Sequence, residues 1–225
     1  MFQFPIWVNS LIKLSLVAIP VGGLYGIFLL ATATAPETTH IGYAPKQPVR
    51  FSHRLHAGQL KMDCRYCHNT VETTAHASIP PTATCINCHS PADGNGAVSL
   101  TAIHAASPDL AEVHRSWADD TPVKWKRVHD LPDFVQFDHS AHVARGVSCV
   151  SCHDRVDQMD VVSQNHTLSM KSCLECHRNP DPHLRPLDKV TDMDWVAPKS
   201  RLEMGALIKD HMNIKANQNC STCHY

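Results

Sequence analysis

The sequence predicts a mainly α-helical chain with much irregular loop, little or no sheet, and a single N-terminal transmembrane helix. Three observations lead there. An apolar run near the N-terminus has about the length a bilayer-spanning helix needs. Ten cysteines fall into five Cys-x-x-Cys-His motifs, with none left over. The chain is 6% aromatic, with fifteen prolines and seventeen histidines, a poor composition for a large hydrocarbon core.

The apolar run is Leu14 to Ala33. Pro20 is expected to kink it, and Gly22, Gly23 and Gly26 give it a small-residue face suited to packing against other membrane helices. A cleaved secretory signal is the competing reading, because Ala31-Thr32-Ala33 resembles a cleavage site. Lys13 is the only charge before the run, and the run exceeds a usual signal core, so a retained anchor is expected over residues 1–35. Either reading delivers residues 36–225 to the outer, periplasmic side of a bacterial cytoplasmic membrane, the side on which c-type haems are attached.

The five motifs are Cys64 to His68, Cys85 to His89, Cys149 to His153, Cys173 to His177 and Cys220 to His224. Thiols three residues apart on one helical turn can meet the two vinyl groups of a single haem. The histidine that follows is then beneath the ring and can ligate iron. The paired cysteines are Cys64 and Cys67, Cys85 and Cys88, Cys149 and Cys152, Cys173 and Cys176, and Cys220 and Cys223; the proximal ligands are His68, His89, His153, His177 and His224. Zinc is the main competitor, since Cys67 to Cys85 and Cys152 to Cys173 enclose 17 and 20 residues, within zinc-ribbon spacing. A disulfide framework is another. Neither explains a histidine after the second cysteine five times in five, and neither gives Cys220 and Cys223 a partner pair. Five c-type haems (haem c, iron) follow. About 190 residues past the apolar run leave roughly 38 per haem, so the flat apolar rings themselves would be the core.

Five irons need up to five further ligands. Phe51-Ser52-His53-Arg54-Leu55-His56 lies just ahead of the first motif, and Phe137-Asp138-His139-Ser140-Ala141-His142 stands in the same relation to the third. This internal repeat divides the chain into two dihaem units, about 50–90 and 136–178, a connector over 91–135 and a lone C-terminal haem at 220–224. Helical residues at i and i+3 share a face, with Cβ atoms about 5–6 Å apart, so His53 with His56, and His139 with His142, can reach two irons and hold two rings close. The fifth distal ligand stays open between Met170, three residues before Cys173, and His76, His129, His166 or His211. A His/Met iron has a raised potential. His40, His104, His114 and His183 read as solvated or locally hydrogen-bonded. In the connector, a loop at Asp93-Gly94-Asn95-Gly96 precedes an expected helix from Leu110 to Trp117, with Trp125 and Leu131-Pro132 beyond it.

Formal charge is −1, so no basic field points to nucleic acid. Five ferric haems with their propionates would take the holoprotein to about −6, a mild bias toward a basic redox partner.

The H-x-x-H-before-motif pattern resembles the class III multihaem cytochromes c. The whole order is similar to the pentahaem subunit of bacterial alternative complex III: the N-terminal anchor, Phe51-Ser52-His53 with His56, Cys64 to His68, Ile79-Pro80, Trp125 to Pro132, Phe137 to His142, Leu168-Ser169-Met170, and Cys220 to Tyr225. The resemblance implies a multihaem cytochrome c fold with a haem-packed core. It implies an electron-transfer subunit, not a catalyst by itself, within a quinol-oxidising membrane complex of the respiratory chain. Its implied neighbours are an iron–sulfur, molybdopterin-enzyme-like subunit, polyhelical quinol-binding membrane subunits, and a monohaem cytochrome or copper protein as acceptor. It also raises Met170 above His166 as distal ligand, serving the haem at Cys220. A stand-alone, membrane-anchored quinol dehydrogenase cytochrome feeding a periplasmic reductase is the alternative. A nitrite or hydroxylamine reductase is disfavoured, since nothing marks an open iron site.

Overall fold

The computed structural model describes residues 4–92 and 100–224, so the Asp93 to Gly96 loop and Tyr225 lie outside the described residues. The chain divides into two compact units, 1–41 and 42–225.

The first unit is dominated by α1, Trp7–Thr34, 28 residues with a mean hydropathy of 2.1 over its most apolar window. At 1.5 Å per residue it reaches roughly 42 Å, more than the ~30 Å hydrocarbon layer of a bilayer. It starts earlier than Leu14 because Trp7, Val8, Leu11 and Ile12 continue the apolar pattern. The helix runs on through Pro20. Its last-turn hydroxyls turn inward: Thr32 Oγ1 donates to the Phe28 carbonyl at 3.0 Å and Thr34 Oγ1 to that of Leu30 at 2.8 Å. Ala35 then takes an extended backbone, as a residue ahead of proline prefers, and ends the helix before the short α2, Pro36–Thr39.

The second unit carries eight helices of four to eleven residues among the described residues: α3 Cys64–Cys67, α4 Thr82–His89, α5 Ala111–Ala118, α6 His139–Val143, α7 Val150–His153, α8 Met170–Arg178, α9 Arg201–His211 and α10 Cys220–Cys223. A π-helical turn, Arg54–Gln59, and several 3-10 turns join them. The expected helix from Leu110 to Trp117 is α5, entered through a 3-10 turn at Pro108–Leu110. Among the described residues, extended pairing is confined to isolated bridges such as Tyr43 with Gln164 and Val135 with His224.

Buried apolar side chains are few: Val49, Ala102, Val113, Leu184 and Val190 among the described residues. Each supplies roughly 1.5–3 kcal/mol at most, far less than a unit of this size needs. Polar ties fill some of the gap. Arg155 grips the buried Asp157 at 2.6 and 2.8 Å and reaches Asp194 at 2.6 Å, while Lys61 meets the other Asp194 oxygen at 3.0 Å. The α5 helix packs on α4 through Ser116, whose hydroxyl pairs with Thr82 at 2.7 Å.

Candidate functional site

The two H-x-x-H segments are built to one plan on different helices. His53 caps a π-helical turn and His56 lies within it; His139 and His142 occupy one turn of α-helix. Ser52 accepts from the Leu55 amide at 3.1 Å at the first, whereas Asp138 accepts from the Ser140 and Ala141 amides at 2.8 and 3.3 Å at the second. The π-turn is anchored from outside, since Asp160 takes hydrogen bonds from Ser52 and Arg54. It also lies so close to Asp157 that a Cβ on Gly58 would overlap the Asp157 carbonyl oxygen.

An aromatic ring clamps each pair. Phe51 stacks on His56 at 4.4 Å and meets His53 edge-on at 4.9 Å. Phe137 stacks on His142 at 4.7 Å and meets His139 edge-on at 4.8 Å. In the sequence these phenylalanines mark the repeat; that they clamp the imidazoles is a feature of the fold.

Three imidazole pairs then face one another. His56 lies 6.1 Å from His89, His139 lies 6.3 Å from His153, and His142 lies 6.1 Å from His177, between ring centres. Two imidazoles on opposite sides of one metal, each bonded at about 2 Å, have ring centres roughly 6.3 Å apart. His53 lies near His68, and its pKa is pushed down to about 4 by burial first, then by His68 and His56. His153 is held lower still, to about 3, by burial and then by His129, His139, His68 and His53. Both are therefore neutral, the form in which imidazole binds a metal.

Backbone carbonyls fix which nitrogen is free. The Nδ1–H groups of His56, His68 and His89 donate to Ser52, Ser78 and Ile103 at 2.9, 2.7 and 2.8 Å. Those of His139, His142 and His177 donate to Ala75, Asp138 and Asn217 at 2.8, 2.7 and 2.5 Å. Each bond leaves Nε2 available and makes it more basic. Ser78 reaches His68 from a left-handed backbone, φ +55°, a conformation kept only where its surroundings hold it. Nothing in the local sequence marks these carbonyls.

The same criterion sorts the remaining histidines. His114 and His166 spend Nε2 on the His89 carbonyl at 2.9 Å and on Asp154 at 2.6 Å. His129 packs edge-on against His153 at 4.4 Å, too close for a metal between them. His211 faces a groove with Leu207, Ile208 and Met212. Met170 begins α8 and is 63% exposed, so it is not core filler. At the last motif, the His224 ring lies 5.7 Å from Phe134, and its backbone pairs with Val135. None of the ten cysteines is paired in a disulfide. Among the described residues no three His, Cys, Asp or Glu side chains converge as a closed metal cage.

Comparison with known proteins bears on the family. The model of the class III cytochrome c family matches residues 30–124, and that of cytochrome c7 and related cytochrome c matches residues 135–225. The multihaem cytochrome c subunit of menaquinone reductase from Nitratidesulfovibrio vulgaris is 30% identical over 154 residues, covering 60% of this chain and 69% of that protein. The chain belongs to the multihaem cytochromes c. In this cytochrome each of the two family matches takes in one H-x-x-H segment. The residues present fit c-type haem: thiol pairs one turn apart, facing imidazoles at the separation two axial ligands require, and a core too thin to stand on aliphatic side chains.

Proposed function

We propose that this cytochrome holds five c-type haems and relays electrons as a subunit of a membrane quinone-linked complex of the alternative complex III type. The observation that carries the reading is the set of three facing imidazole pairs, each joining a motif histidine to an H-x-x-H histidine. The bound haem supplies one-electron chemistry; the protein supplies ligation, spacing and electrostatics.

The residues divide the work as follows. Cys64 with Cys67, Cys85 with Cys88, Cys149 with Cys152, Cys173 with Cys176, and Cys220 with Cys223 attach the rings. His68, His89, His153, His177 and His224 are the proximal ligands. His53 serves the first site, His56 the second, His139 the third and His142 the fourth, each through Nε2. Met170 is the distal ligand at the fifth, which would raise that potential above a bis-histidine value. Phe51 and Phe137 keep the distal rings oriented. Residues 1–35 anchor the chain, with the two dihaem units, the connector and the C-terminal site on the periplasmic face.

Partners in this reading are an iron–sulfur, molybdopterin-enzyme-like subunit, polyhelical quinol-binding membrane subunits, and a monohaem cytochrome or copper protein. Electrons leave quinol for that acceptor. One observation favours the opposite direction: the relative is named as a menaquinone reductase subunit. A chain of redox sites runs either way, so the potentials of its partners set the direction.

Mild-detergent extraction, a haem-stained native gel and mass spectrometry of the band test the assembly. Migration with iron–sulfur and polyhelical membrane subunits supports the relay. Migration alone, or with only a reductase, replaces it with the stand-alone quinol dehydrogenase. For the fifth ligand, Met170→His should lower the potential of one haem and leave four unchanged; no response removes Met170 from the ligand set.

A further inference from the structure

The five motifs are not neighbours in the order the chain visits them. The first and second are joined by a direct side-chain bond, since Asn87 Nδ2 inside the second donates to the Tyr66 hydroxyl inside the first at 3.1 Å. Their distal candidates His53 and His56 share one turn.

The first and third motifs meet at several points. Asp63, next to Cys64, accepts from Thr191 at 2.9 Å, while the Cys149 amide donates to Val190 at 3.4 Å. Both first cysteines are thus held on the two-residue step 190–191. From the other side, Ala75, just past the first motif, accepts from both the amide and the Nδ1–H of His139, and Thr74 accepts from the Ser140 amide.

The third and fourth share the turn that carries His139 and His142. The fourth and fifth are joined where the His177 Nδ1–H donates to Asn217, three residues before Cys220.

We propose that the attachment sites form one unbranched line in the order second, first, third, fourth, fifth, with the second and the C-terminal sites as its ends. The inference rests on the five-haem reading above. The two repeats are joined head to head, first site to third, and the stretch between the second and third motifs carries the chain back from one end of the line to its middle. Each inner site has a neighbour on two sides, whereas the end sites have one. Redox partners of either kind therefore meet the line at the Cys85–His89 end and at the Cys220–His224 end.

The test uses the full-length holoprotein in detergent, fully reduced so that low-spin irons are diamagnetic. Nuclear Overhauser contacts between haem substituent protons are assigned through each site's thioether and ligand resonances. Contacts should join first with second, first with third, third with fourth, and fourth with fifth. A contact between second and third, or none between first and third, overturns the order. Mass spectrometry of the same sample counts covalent haems. Fewer than five means that the five-haem reading has failed, while the first-to-third contact still decides the order among the sites that remain.

Discussion

The segments around Phe51 to His56 and Phe137 to His142 reach the same side-chain arrangement from unlike backbones. Ring distances from phenylalanine to its two imidazoles agree within a few tenths of an ångström between the repeats, from 4.4 and 4.9 Å in one to 4.7 and 4.8 Å in the other. Yet one rides on a π-turn entered through His53, with Ser52 accepting from the Leu55 amide and Asp160 bracing it, the other on an α-turn capped by an aspartate. The imidazole geometry, not the helix type, is what the repeat preserves.

A second difference is directional. His139 donates Nδ1–H to Ala75 in the first repeat, whereas His53 Nδ1 is buried with no hydrogen-bond partner. The second repeat therefore leans on the first, and the first does not lean back in the same way. His53 also lacks the bond that makes a ligand more basic.

The largest effect that bears on this asymmetry comes from removing a thiol pair. Cys64→Ala with Cys67→Ala should cost one haem per chain in a pyridine haemochrome assay and also disturb the ligand-field spectrum of the third site, because Thr74 and Ala75 follow that motif directly. Cys149→Ala with Cys152→Ala should likewise cost one haem, leave the second site spectroscopically unchanged, and change the first site less than the reverse variant changes the third. Equal collateral damage in the two variants would break the comparison.

A smaller effect is expected from the clamps. Phe51→Leu and Phe137→Leu should each lower stability by about 1–1.5 kcal/mol, the range of a hydrophobic swap with loss of ring contacts. Electron paramagnetic resonance should show broadened g-values at two sites in each case, since each ring touches two distal imidazoles. Broadening at one site only would mean that the edge-on contact does nothing to orient its histidine.

The smallest concerns Asp63, where the first repeat is tied to Thr191. Hydrogen bonding from the Arg65 side chain, with further bonds from its backbone and from Thr191, holds its carboxyl down from 3.8 to about 2. Its folded pKa is depressed, so the stabilisation is complete above pH 3.8 and is lost as pH falls toward 2. The group is largely exposed, and solvent screening keeps the contribution below about 1 kcal/mol. Denaturant midpoints measured across that window should fall less steeply in Asp63→Asn than in the native protein.

Part of this molecule could be read from its letters because covalent chemistry is local. Cys-x-x-Cys-His is a short pattern, and its spacing alone carries the reason for haem attachment. The apolar run was legible for the same kind of reason, although its start was not: the helix takes in Trp7 and the residues after it, which a hydropathy boundary at Leu14 leaves out. The H-x-x-H pairs were visible as a repeat. Their expected helical turn is α only in the second, because Gly58 and its close approach to Asp157, distant in sequence, accompany a π-turn in the first.

Distal partners were the point at which reading along the chain ran out. His129 and His166 differ little from His53 or His139 as letters, whereas His114 reads as locally hydrogen-bonded and is so. Only folding shows that His166 spends Nε2 on Asp154 and that His129 packs against another imidazole.

By itself, then, the sequence determined that this is a helical chain with an N-terminal apolar run long enough to cross a membrane and five Cys-x-x-Cys-His motifs, since those signals lie within single runs of residues. Which histidine faces which, which carbonyl fixes each imidazole, and that the first motif lies beside the third were decided by tertiary structure. The physical reason is separation along the chain: Ala75 reaches His139, Asn217 reaches His177, and Thr191 reaches Asp63 only once the chain has folded back on itself.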